Sequence, residues 1–177
     1  MGSAQLWDRQ AIHDELDRVQ ADFHRLLAQA TPASLARRSN GTKWTNEQLL
    51  FHMLFGYLIT RALLGVMAVF GRLPMGASRA YARVLNVLTG PFDVINYLGP
   101  CAAIHTYGHR RMAARLDRVL AALHRSVDTA TTADLARGMH YPTRWDPFFT
   151  DYMTMADLYR YPTRHYDFHH RQLTLTT

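Results

Sequence analysis

The 177 residues suit a single domain spanning 1–177, and 48% of them are hydrophobic, enough to build a sizeable core. Twenty basic against fourteen acidic residues give +6, but Lys43 is the only lysine and the arginines are scattered. No concentrated basic stripe with exposed aromatics marks a nucleic-acid surface. The single cysteine, Cys101, excludes an internal disulfide, a cysteine-rich zinc site and a C-x-x-C redox pair, and a cytoplasmic setting fits best.

Residues 1–5 carry no basic group ahead of an apolar core and do not read as a secretory signal. Asp8 can cap a first helix in which Ile12, Leu16, Val19, Phe23 and Leu26 recur at steps of four and three. That helix ends near Thr31 and Pro32, and a polar loop with an Asn40-Gly41 turn follows. Thr45 then precedes Gln48 by three positions, the capping-box spacing, so a second helix is predicted over 46–70 with its stop at Gly71. This helix is long enough to span a bilayer, but His52, Thr60 and Arg61 interrupt it. A charge near the centre of such a span costs about 3 kcal/mol, so a buried core helix is expected, with membrane association as the minority reading.

Gly76, Pro74, Gly90-Pro91 and Gly99-Pro100 break residues 72–100 into short helices, expected at 78–89 and 92–98. A third long helix carries Met112, Leu116, Val119 and Leu123 in step and ends near Asp128. Residues 129–150 are expected to form a loop with a short helix at 133–137. A fourth helix runs from 151, with positions 155, 158, 162, 165, 169 and 172 or 173 as one stripe and Asp157, Arg160, Arg164, Asp167 and Arg171 as the other. Pro162 should kink it. No run alternates as a strand, so four long helices imply an all-α bundle.

The chemistry lies in ten histidines, the side chain suited to zinc, nickel or iron(II). His165 and His169 stand four apart, which places both rings on one helical face. The spacing alone is weak evidence, since ten histidines in this length yield roughly 0.6 such pairs by chance and the chain has two. The stripe is stronger: both rings share the face of Met155, Leu158 and Pro162, and His52 shares the inward stripe of Leu49, Ile59 and Leu63. Buried imidazoles need partners, and one metal can serve all three. Three protein nitrogens leave open positions, the pattern of a catalytic rather than a structural site. Gly56, one turn beyond His52, would leave room for a ligand.

His105 and His109 repeat the spacing and align with Met112 and Leu116, so they compete as ligands with His52 or serve as pocket residues. Asp157 and Asp167 lie near in sequence but on the outward stripe, and His170 points about 100° from His169. Tyr141, Trp145, Phe148, Phe149 and Tyr152 are expected to cover the bundle end, and Trp44 to anchor the start of the second helix. There is no phosphate loop, H-E-x-x-H helix or G-x-S-x-G elbow, and no catalytic side chain is assigned.

The run Trp44-Thr45-Asn46-Glu47-Gln48-Leu49-Leu50-Phe51-His52 resembles the tryptophan-led second helix of the DinB/YfiT-like superfamily, with its inward histidine. The run His165-Tyr166-Asp167-Phe168-His169-His170-Arg171-Gln172-Leu173 resembles its terminal H-x-x-x-H helix. The resemblance implies a four-helix bundle with long crossovers and one divalent metal on His52, His165 and His169. It further implies chemistry with a small-molecule substrate, as in members that are S-transferases or isomerases using mycothiol, bacillithiol or glutathione. A non-catalytic metal-binding or stress-related protein is the alternative, and a homodimer is compatible with either. The connection at 72–100 departs from the compact family pattern.

Overall fold

The computed structural model describes residues 9–175, without the side chains at 106, 107 and 110; the predicted cap at Asp8 lies outside the described residues. Eight helices and a two-stranded hairpin follow in the order α1 (Arg9–Gln29), α2 (Pro32–Ala36), α3 (Asn46–Phe70), α4 (Met75–Val87), α5 (Thr89–Tyr107), α6 (Met112–Thr129), α7 (Thr132–Ala136), β1 (Gly138–His140), β2 (Tyr152–Thr154) and α8 (Met155–His170). The four long helices α1, α6, α3 and α8 pack in a ring, each touching the next. The core is the union of their stripes: Ile12, Leu16, Val19 and Phe23 from α1, Leu49 and Met53 from α3, Leu116, Leu120 and Leu123 from α6, and Leu158 from α8. Each such side chain, fully withdrawn from water, contributes about 1.5–3 kcal/mol.

The α3 helix begins where its capping box predicts. The Thr45 amide donates to Gln48 Oε1 at 2.9 Å, and the Gln48 amide to Thr45 Oγ1 at 3.3 Å, which satisfies two of the donors that a helix start leaves orphaned. Buried Asn46 donates to the Ser34 carbonyl and accepts from the Thr174 amide, and the Asn40 amide donates to the Gln172 carbonyl at 2.7 Å. These bonds tie the start of α3 to the segment after α8. Among the described residues α3 is the one helix long and apolar enough to cross a membrane, and 39% of its most apolar stretch is buried. Its polar interruptions are accommodated: Thr60 donates to the Gly56 carbonyl at 2.8 Å, and Arg61 is exposed.

Four sequence expectations are revised. The loop predicted before α3 contains the short helix α2, opened by a Thr31–Ser34 capping box. The connection holds two longer helices, because Pro91 falls in the first turn of α5, where no amide partner is required, and Pro100 lies inside α5 beside Phe51 and Leu58 of α3. The third helix starts later than its periodicity implies, since Gly108 adopts φ +61° and separates α5 from a 3₁₀ turn at His109–Arg111. Finally, β1 and β2 pair antiparallel, with Gly138 opposite Thr154. A Cβ at Gly138 would meet the Met153 carbonyl oxygen at 2.6 Å, so glycine permits this pairing. Strands of three residues are too short for alternation to reveal.

Candidate metal centre

The three histidines of the predicted triad converge between α3 and α8. His52 Nε2 lies 3.1 Å from His165 Nε2, and the ligand atoms of His52, His165 and His169 all lie within 4.8 Å of one another. The His52 ring sits 4.4 Å from Trp44 and 4.8 Å edge-on from His169. Trp44 therefore walls the site as well as anchoring α3, its indole donating to the Tyr97 carbonyl at 3.2 Å.

Packing explains the convergence. An ideal Cβ at Gly56 would stand 3.0 Å from His165 Nδ1, so the missing side chain is filled by the imidazole itself. That refines its expected role: Gly56 lets His165 approach the α3 backbone, and it also lines the adjoining cavity. At the far side, His169 Nδ1 lies 2.7 Å from Gln172 Oε1. An amide oxygen only accepts, so this contact places the proton on Nδ1 and turns the Nε2 lone pair toward the other rings.

Burial pushes the His52 imidazole down to about 3, with His169 adding to the effect. It holds His165 well below the usual histidine range, reinforced by His52 and His169. The His169 ring is also lowered by burial, against the opposing effect of its hydrogen bond to Gln172. All three rings are thus neutral near pH 7 and offer lone pairs, the form in which imidazole binds metals. Among the described residues, His52 Nδ1 and His165 Nδ1 have no hydrogen-bond partner. The nitrogen donor set, the 3.1 Å approach and the tautomer at His169 fit one borderline divalent ion.

The loop between β1 and β2 contributes a carboxylate and aromatic walls. Asp146 Oδ2 accepts from Tyr161 at 2.8 Å and lies 3.8 Å from His165 Nε2, while Oδ1 accepts from the Phe148 amide. Burial raises the Asp146 carboxyl above the ordinary range, and the two hydrogen bonds oppose this. A cavity of about 50 Å³ beside His52 and His165 is walled by Phe55, Ile59, Phe92, Trp145 and Phe149. Trp145 and Phe149 therefore line the site, where the sequence pointed to a bundle-end cover. Asp146 escapes the sequence reading, its one visible signal being a lone acid inside an aromatic run, and Gln172, a candidate for the inward stripe, receives no role from it.

The other candidates fall elsewhere. His105 is exposed near the end of α5, and His109 contacts Glu47 through its amide and Nδ1 at 3.2 and 3.3 Å. Neither lines the cavity beside His52, because the positive φ at Gly108 takes both off the α6 stripe. Asp157 caps α8 through Thr154, and Asp167 is held by Arg18 with two contacts of 2.9 Å; neither reaches the imidazoles.

The fold and this three-imidazole centre define a helical bundle of metal-site type. A family model described as the DinB superfamily matches residues 15–173, and the chain belongs to that superfamily. No curated protein and no solved structure matched it.

Proposed function

We propose that this protein is a divalent-metal-dependent enzyme of low-molecular-weight thiols, an S-transferase or isomerase, acting on a small molecule in the cytoplasm. The observation that carries the reading is the trio of neutral imidazoles facing one another with a cavity open beside two of them. His52, His165 and His169 would hold the ion, of which zinc, nickel and iron(II) all suit imidazole. When bound, the ion supplies Lewis acidity and lowers the pKa of a thiol so that thiolate is available at neutral pH. Gln172 orients His169, Gly56 seats His165, and Asp146 with Tyr161 offers hydrogen-bonding groups to a substrate. The apolar walls exclude water from the reacting face.

Elemental analysis of protein purified without a histidine tag tests the first step, with about one equivalent of a transition metal expected. Less than about a tenth of an equivalent, with no thermal stabilisation on adding metal, contradicts the reading. Assay of loaded protein against low-molecular-weight thiols and electrophiles then separates an enzyme from a metal-binding protein without turnover.

A second reading, membrane association, is favoured by one observation: α4 and α5 expose the large apolar side chains Val84, Val87, Val94, Ile95 and Leu98. Cell fractionation decides it, since complete recovery in the soluble fraction without detergent removes this reading.

A further inference from the structure

The chain carries twenty lysines and arginines, yet among the described side chains none lines either space beside the imidazoles. The inner cavity is walled by Phe55, Ile59, Leu63, Phe92, Trp145 and Phe149, with His52, Asn96, Asp146, Tyr161 and His165 as its polar points. A wider groove of about 170 Å³ shares His52, Asn96, Trp145, Asp146 and His165 with it. Both spaces far exceed the roughly 10–15 Å³ that one water needs. Among the described residues the carboxylate at their common boundary is Asp146, whose side chain is 13% exposed.

From this lining we infer that the occupant of the cavity has a flat, apolar body that is uncharged away from the end meeting the metal position, and that molecules carrying an anionic group on that body are rejected. The inference rests on the metal-centre reading above and names the substrate class for it. An anionic group held against these walls, away from the metal position, would lose its hydration with no described guanidinium or ammonium to replace it, and a buried unpaired charge is strongly disfavoured. A neutral ring gains contact with the aromatic walls. Trp145 stacks on Phe92 with centroids 4.0 Å apart and planes within 9°, and its indole donates to the Leu85 carbonyl at 2.7 Å. That wall is therefore held flat before any ligand arrives, which lowers the ordering cost of binding. The polar end of the occupant would face His52, His165 and Asp146, where its donor atom meets the metal position.

Two probes of equal shape test the charge rule: 4-(mercaptomethyl)benzamide, which is neutral, and 4-(mercaptomethyl)benzoate, which is anionic. Binding is read twice, by the Trp145 indole proton shift in metal-free protein and by the thiolate charge-transfer band of the Co(II)-loaded protein. The amide is expected to bind about tenfold tighter or more than the carboxylate in both. Placing a cation in the lining, through Asn96→Lys or independently Leu63→Lys, is expected to raise carboxylate affinity by about tenfold while metal stoichiometry is unchanged. Equal affinity for the two probes in the metal-free protein overturns the inference. Failure to load Co(II) overturns the metal-centre reading instead, and the indole measurement still decides the substrate class.

Discussion

Across α3 and α8, His52 Nε2 faces His165 Nε2 at 3.1 Å, and across α1 and α6, His13 Nδ1 faces His124 Nδ1 at 2.6 Å. Both pairs are formed by single histidines on neighbouring helices of one bundle, and they differ in what surrounds them. In the outer pair each far nitrogen meets a carboxylate: His13 Nε2 lies 3.1 Å from Asp128, and His124 Nε2 3.2 Å from Asp17. The rings are nearly parallel, at 5°, and every ring nitrogen has a partner. In the inner pair the far nitrogens have none, a third ring stands beside them, and burial keeps the imidazoles neutral. Histidine pairing across helices thus has two uses here. Partnered rings at the surface join helices, whereas buried rings short of partners form a place for a metal.

Replacing one ring of each pair should separate these uses most sharply. His165→Ala is expected to weaken Zn(II) binding by about a hundredfold or more in a chelator-competition titration, since a ligand itself is lost. The comparison breaks if His124→Ala produces a similar loss.

Acidification sharpens it next. In metal-free protein the inner rings resist protonation, whereas in the unfolded chain they take up protons below about pH 6.5. Their folded values are depressed, so the native state should hold its full stability above pH 7 and lose it as the pH falls from about 6.5 towards 3. The slope is about 1.4 kcal/mol per pH unit for each ring involved. Urea unfolding at stepped pH checks this, and His52→Leu is expected to flatten the slope.

Smaller effects are expected from the groups that seat the rings. Gly56→Ala places a methyl group against His165 Nδ1 and is expected to lower Zn(II) affinity by about tenfold, with the circular dichroism of the bundle retained. Gln172→Leu removes the acceptor at His169 and should cost somewhat less, still about tenfold at most. The smallest change is expected at the outer pair, where His124→Ala should leave metal affinity unaltered and reduce stability by about 1 kcal/mol.

Much of this arrangement was legible before the structure. The α3 helix ends at the expected residues, because a capping box and a terminal glycine are local signals. The triad followed from helical stripes together with the family resemblance, and stripes survive translation into burial wherever the helix is continuous. His105 and His109 show the limit: their spacing is helical in sequence, but one positive φ at Gly108 separates them from the stripe they appeared to share. Asp146 and Trp145 were opaque for another reason. They lie on a loop whose path is set by the β1–β2 pairing and by the Tyr161 and Leu85 contacts, all long-range relations that no periodicity encodes. Pro162, expected to kink the fourth helix, lies inside α8 and is buried.

The central claim is that the inner trio, and not the outer pair, is the place of a metal. Crystals of the untagged, metal-loaded protein, measured at the absorption edge of the ion, test it most directly. The account predicts one anomalous peak bonded to His52, His165 and His169 at about 2.0–2.2 Å from each. A peak between His13 and His124, or none at the inner trio, would contradict it.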